Sequence, residues 1–267
     1  MNNVFKDFKD AIDYAREKLL NDSYIIKTEK WQGIELKHPM RETLNTSFSC
    51  LISPSTEVLQ FEIRPNIPWA NIHFKERVGQ EPLNPGESYK EWPFYKMDKE
   101  MRTERGKFSH TYMERIWPKY AGQDPNFPID QNSLLRGIRY EYGDLMDVVN
   151  LLSKEPHTRQ AYLPIWFPED TGVLHGGRVP CTLGYHFIMR DNRLHIIYYI
   201  RSCDYLRHFR DDIYLACMKV LWVLEELKEI GGYSGEWMDV KPGTLTMHIT
   251  SLHIFQNEYE LVKRYKK

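Results

Sequence analysis

A chain of 267 residues with 42% hydrophobic and 13% aromatic content can bury a sizeable core, and one large domain is the expectation. Its 36 lysines and arginines stand against 37 aspartates and glutamates, a formal net charge of -1. That balance excludes the broad basic face of a nucleic-acid or membrane-surface binder, while leaving room for a local basic pocket that holds one phosphate.

The opening stretch MNNVFKDFKDAIDYAREKLL is charged throughout. Phe5, Phe8, Ile12, Ala15 and Leu19 share one face at helical spacing, which predicts an amphipathic helix rather than an export signal. No run has the length of a membrane span. Residues 22 to 65 read as β-rich, with YIIKTEKWQGIEL and FSCLI as strands. Residues 66 to 110 are rich in Pro, Gly and charge and predict irregular structure, with 79 to 108 as an insertion or lid. In DLMDVVNLLS, Leu145, Val148, Val149 and Leu152 recur at helical spacing behind Asp144, a capping residue. TLGYHFIMR and RLHIIYYIRS flank Asp191-Asn192, a hairpin-turn signal. A helix is expected from about Asp212 to Lys228, closed by Gly231-Gly232, and the strand TLTMHITSLHIF follows. Strands mixed with long helices, without a regular βαβ rhythm, predict an α+β fold with helices packed on a mixed sheet.

The four cysteines, Cys50, Cys181, Cys203 and Cys217, form no CxxC pair and no zinc-ligand cluster, so reduced thiols in a cytoplasmic protein are expected. Gly176-Gly177-Arg178 lacks the spacing of a dinucleotide fingerprint, and nothing suggests a P-loop. Cys217 reads as packed on the apolar side of its helix, and Cys203 fits either role. Cys181 follows Pro180 at the mouth of a strand, with Arg178 and Arg201 expected close by. Cationic neighbours lower a thiol pKa and raise the thiolate fraction. The competing reading of Cys181 is a buried cysteine acting as a small hydrophobe. Arg201-Ser202 sets a guanidinium fork beside a hydroxyl, a pair suited to phosphate, and Arg159 is a second candidate. Asp211 and Asp212 open a helix, where acidic residues favour the dipole.

Together these segments resemble the thymidylate synthase superfamily over most of residues 20 to 262. PCTLGYHF resembles the nucleophile block, and RSCDYLRHFRDDIYLA the phosphate and base-recognition block. SLHIF resembles the sugar-binding block, EPHTRQ the segment one subunit lends its neighbour, and FSHTYMERIW the tyrosine block near the cysteine. The resemblance implies Cys181 as nucleophile, Arg201 and Ser202 on the 5'-phosphate, His253 on the sugar and Tyr112 near the cysteine. It implies a homodimer packed through its sheet faces, with Arg159 contributed across the interface. It also implies 5,10-methylenetetrahydrofolate as co-substrate, with Glu76 organising water and protons, Asp204 structural or folate-facing, and Lys27 among the substrate-binding groups.

The departures narrow the expectation. Where the thymidylate enzymes read uracil with Asn, this chain has Asp212. A carboxyl accepts from the N4 amino group of cytosine and, when protonated, donates to N3. Phe255 stands where a sugar-binding Tyr is usual, and the chain stops at Lys267 without a long closing tail, which favours addition of water over hydride transfer. His186, Gln160 and His208 also depart from the pattern. The expected activity is that of the cytidylate 5-hydroxymethylases of pyrimidine antibiotic biosynthesis, acting on CMP. The alternatives are dCMP as substrate, a 5-methyltransferase of the thymidylate synthase type, and a nucleotide-binding regulator without activity.

Overall fold

The computed structural model describes residues 3–27, 30–31, 34–35, 38–92, 107–119, 143–173, 178–233 and 235–264. Strands β1 (Asn3–Phe5), β2 (Tyr24–Ile26), β5 (Met40–Leu51), β6 (Tyr162–Pro164), β7 (Thr182–Arg190), β8 (Arg193–Asp204) and β9 (Lys241–Phe255) form one sheet. Its order is β1-β5-β9-β8-β7-β6, with β2 also paired to β5. The short β3 (Lys30–Trp31) and β4 (Ile34–Glu35) pair separately. β1 runs parallel to β5 and β8 parallel to β9, while the other pairings are antiparallel. The sheet is mixed, as expected. A parallel neighbour needs a crossover; the helix α6 (Phe209–Ile230) supplies it between β8 and β9.

The β7–β8 turn forms as the sequence signals. Asp191 and Asn192 take φ of 50° and 53°, the left-handed pair that matches strand twist in a two-residue hairpin, and the register runs from Arg190 opposite Arg193. Along β8, Leu194, Ile196, Tyr198 and Ile200 are buried and their alternate neighbours are not, so one sheet face packs on helices. α1 (Phe8–Asn21) closes that core with Phe8, Ala11, Ile12, Ala15 and Leu19, and Asp7 caps it by accepting from the Asp10 amide. Each large apolar side chain so buried contributes about 1.5–3 kcal/mol. Asp144 caps α5 (Leu145–Lys154) as expected, and Asp147 answers it in a capping box.

Four expectations are corrected. Phe5 lies in β1 and not in the first helix. Residues 22 to 65 are not all strand, because Ser55 caps α2 (Thr56–Ile63) by accepting from the Val58 amide at 3.2 Å. Residues 66 to 110 are not all irregular, because α3 (Trp69–Val78) lies within them. Its inner stripe of Trp69, Ala70 and Phe74 ends on a buried arginine, Arg77, and that charge hid the helical pattern. α6 starts at Phe209, ahead of the expected Asp212, with His208 at its N-cap. Of 79 to 108, residues 87–91 form a 3-10 turn and 93–106 lie outside the described residues, as does part of the expected strand over 24 to 36. Among the described residues no helix is long and apolar enough to cross a membrane, and no cluster of His, Cys, Asp or Glu could hold a metal ion.

Candidate active site

β7 and β8 lie side by side, so the residue entering one and the residue leaving the other become neighbours. The Arg201 amide donates to the Cys181 carbonyl at 2.9 Å. The Arg201 side chain turns back on the approach to the cysteine: Nε donates to the Pro180 carbonyl at 2.8 Å and Nη2 to the Val179 carbonyl at 3.3 Å. Its guanidinium also lies 5.4 Å from the Trp166 ring centroid. Nη1 has no partner among the described residues, and the Ser202 hydroxyl follows directly on the strand.

Cys181 is half-buried. Burial pushes its thiol pKa up from 9.0, the nearby Arg201 and Arg178 pull it down, and Asp212 and Asp204 push it up again. The net is a raised value, which corrects the expectation that the arginines make a thiolate by themselves. A carboxylate that becomes protonated, or a ligand that displaces water, changes that balance.

Asp212 is in the first turn of α6 and faces the same space. Cys203 Sγ donates to its Oδ2 at 3.6 Å. Burial raises its pKa to about 7, against the opposing charge of Arg77. At neutral pH the group is divided between acid and carboxylate, the state needed to accept from an amino group or donate to a ring nitrogen. Its neighbour Asp211 is spent elsewhere, accepting from the Asn66 amide and Nδ2, both at 2.7 Å. Cys203, open to either role in sequence, is thus a buried donor to Asp212, while Cys217 is fully buried in the core.

Tyr112 opens α4 (Tyr112–Ile116), where Thr111 and Glu114 form a capping box. Its hydroxyl oxygen accepts from the Thr182 amide at 3.4 Å and from Thr182 Oγ1 at 3.3 Å, one residue from Cys181. Arg77 covers its ring at 4.2 Å and donates from Nε to His73 Nε2 at 3.0 Å. Sequence reasoning chose Glu76 and missed Arg77. Both Glu76 oxygens are taken by Ser88, from its amide and its hydroxyl, so Glu76 ties α3 to the 3-10 turn. Burial and Arg77 also hold the Lys219 amine, 4.8 Å over the Tyr185 ring, well below its usual range.

His253 leaves β9 beside Asp204 of β8. It is buried, its Nε2 has no hydrogen-bond partner among the described residues, and burial lowers its pKa to about 4. Asp204 accepts from the Leu206 and Arg207 amides at 3.0 Å and from Arg207 Nη1 at 3.0 Å, which fixes the turn into α6. The structure therefore assigns Asp204 to the turn. Phe255 lies under the Arg207 guanidinium at 4.6 Å. Trp92 and His208 stack at 6.2 Å beside that turn. Arg159 is exposed, and among the described residues only its carbonyl is engaged, by His186 Nε2 at 3.0 Å. Lys27 is exposed after β2 and makes no polar contact among the described residues.

Comparison with known proteins gives the same direction. The family model described as thymidylate synthase matches residues 88–266. A provisionally named thymidylate synthase of Methanosarcina barkeri is 27% identical over 121 residues, covering 45% of this chain and 49% of the relative. One of Methanosarcina mazei is 25% identical over 143 residues, covering 53% of this chain and 59% of the relative. The chain thus spans about half to three-fifths of the length of these curated relatives. Thermostable thymidylate synthase A from Bacillus subtilis superposes with a TM-score of 0.61 over 97% of this chain and 83% of its own, at 11% identity, which shows a shared fold.

Proposed function

The chain belongs to the thymidylate synthase family, and from that premise we propose that it is a folate-dependent one-carbon transferase acting on C5 of a cytosine nucleotide, with CMP as substrate and 5-hydroxymethyl-CMP as product. The observation that carries this reading is the placement of Asp212, a carboxyl in the first turn of α6 held by the Cys203 thiol at 3.6 Å, where the resemblance expects an Asn that reads uracil.

In this reading the Cys181 thiolate adds to C6 of the pyrimidine, which makes C5 a carbon nucleophile. Arg201 Nη1 and the Ser202 hydroxyl take the 5'-phosphate, and the exposed Arg159 completes that site in a partner subunit of a homodimer. His253 Nε2, buried and without a partner, is matched to a sugar hydroxyl. Phe255 offers no phenol there, which leaves the sugar read by the histidine. 5,10-Methylenetetrahydrofolate, when bound, supplies the one-carbon unit. The stacked Trp92 and His208 form an aromatic wall of the kind a flat pterin packs against, so the residues present fit that co-substrate. Arg77 holds Tyr112 in place, and Glu76 positions α3 through Ser88. A site of this kind is at home in a cytoplasmic enzyme, where both co-substrates are made.

The test is mass analysis of products formed from CMP, dCMP, UMP and dUMP with methylenetetrahydrofolate. A CMP product heavier by CH2O is expected. Cys181→Ser is expected to abolish tritium release from [5-³H]CMP, and persistence of that release would remove Cys181 from the chemistry. The names of the Methanosarcina relatives favour a second reading, methyl transfer to a uracil nucleotide. It is distinguished by a product heavier by CH2 and by growth of dihydrofolate absorbance.

A further inference from the structure

Hydrogen bonds run in one direction from Arg77 to Glu76 by way of His73 and Ser88. Arg77 Nε donates to His73 Nε2 at 3.0 Å. An arginine Nε carries its hydrogen at all times, so His73 Nε2 is the bare nitrogen and Nδ1 holds the ring proton. Nδ1 lies 3.1 Å from Ser88 Oγ, and the Ser88 hydroxyl proton is committed to Glu76 Oε2, so Ser88 accepts from His73. The Ser88 amide donates to Glu76 Oε1 at 2.9 Å. Gly86, just ahead, leaves the Glu76 carboxyl space that a Cβ would take. Each donor thus meets an acceptor, and the imidazole is fixed in one tautomer.

The two ends of this line lie in different halves of the site. Ser88 belongs to the 3-10 turn that runs into Trp92, whose amide donates to the Tyr89 carbonyl at 3.2 Å. Arg77 lies over the Tyr112 ring at 4.2 Å, and the Tyr112 oxygen accepts from Thr182, the residue after Cys181. Arg77 is buried and its Nη1 has no hydrogen-bond partner among the described residues, so His73 and the ring are what orient the guanidinium. Trp69, one turn back on α3, stacks on His73 at 4.8 Å and holds its plane. Burial and the charge of Arg77 lower the His73 pKa to about 4, so the ring is uncharged at neutral pH, the state in which Nε2 can accept.

We propose that His73 is a positioning residue that couples the two halves of the site, passing the setting of the 87–91 turn through Arg77 to Tyr112 and the strand end that carries Cys181. The identity of the two occupants rests on the reading above. A co-substrate packed on Trp92 steadies the turn, Ser88 then holds the His73 tautomer, and the guanidinium stays seated on the Tyr112 ring. Glu76 is the fixed end of this line.

The experiment uses the full chain with His73→Phe, Ser88→Ala, their double variant and His73→Gln. Phenylalanine keeps a ring against Trp69 but can neither accept from Arg77 nor donate to Ser88. Glutamine offers both an amide oxygen and an amide hydrogen. His73→Phe and Ser88→Ala are each expected to slow tritium release from [5-³H]CMP by roughly 10- to 100-fold at unchanged CMP affinity, the cost of a misplaced group far from the reacting atoms. The half-saturating concentration of methylenetetrahydrofolate is expected to rise in both. The double variant is expected to lose no more than either single one, because both interrupt the same line, and His73→Gln to recover most of the rate. Losses that multiply in the double variant, or a His73→Gln protein as slow as His73→Phe, overturn the coupling. Should His73→Phe not fold, Ser88→Ala decides alone, and a wild-type rate overturns it. If the wild-type chain releases no tritium with any nucleotide, the substrate reading fails, and the coupling is decided by the rate at which iodoacetamide alkylates Cys181, located by peptide mass. A change shared by His73→Phe, Ser88→Ala and the double variant and reversed in His73→Gln then supports it, and unchanged or additive rates overturn it.

Discussion

In the proposed reading Asp212 sets the character of the site, because it selects the base, and its charge also raises the pKa of the Cys181 thiol. An amide pairs with uracil, whereas a carboxyl pairs with cytosine, and a mismatched buried polar pair costs about 1–3 kcal/mol. Asp212→Asn is therefore expected to shift preference from CMP toward UMP by up to about 100-fold, measured by competing the two nucleotides. The same change removes a negative neighbour that raises the Cys181 pKa, so alkylation of the thiol at neutral pH should quicken. Cys181, Arg201 and Asp212 were legible in the sequence because each sits in a run whose residue types already state a chemistry. Arg77 was not. Its role comes from stacking on Tyr112, a residue distant in sequence, and nothing local distinguishes it from a surface charge.

At the scale of elements, the clearest clamp is the buried ion pair of Arg115 and Asp170. Nη1 donates to Oδ2 at 2.7 Å and Nη2 to Oδ1 at 2.8 Å, while Asp170 also accepts from the Phe167 amide at 2.9 Å. The pair fastens α4, which carries Tyr112, to the segment that follows β6. Removing one partner leaves the other charge buried, so Asp170→Ala is expected to lose about 3–5 kcal/mol in urea unfolding. A loss under about 1 kcal/mol would mean that the pair is not holding α4. The strands, the hairpin turn and α5 were legible because period-two burial, a turn dipeptide and a capping box are local signals. α2 and α3 were not, since their stripes are short and α3 ends its own on a charge that only the tertiary structure satisfies.

Over the whole molecule, buried imidazoles dominate the response to acid. Burial holds His73, His208 and His253 at about 4 and His110 well below its usual range. The unfolded chain protonates these groups near 6.5, roughly, whereas in the folded chain His73, His208 and His253 resist until about 4 and His110 is lowered in the same direction. Their contribution is thus intact above about 6.5 and is lost as pH falls through that value toward 4. Asp212 works in the opposite sense, because folded it keeps a proton up to about 7 that the unfolded chain has released, but it is one group against four. Asp204, Asp211 and Glu114, also raised by burial, oppose the histidines toward the acid end. The urea midpoint is expected to fall steadily from pH 7 to about 5, and a midpoint that is flat or rising over that range would contradict these burial effects.

The crossover from β8 through α6 into β9 has one more implication. Arg201 and Ser202 at the end of β8, Asp212 at the start of α6 and His253 near the end of β9 all belong to that single unit, with Asp204 and His253 in register across the two strands. In the proposed reading a nucleotide meets a seat that is already assembled, whereas Trp92 and His208, the wall proposed for the second co-substrate, come partly from a separate segment. If that reading holds, preorganisation gives the nucleotide precedence, and binding of the folate measured by calorimetry is expected to be stronger with CMP present than without it.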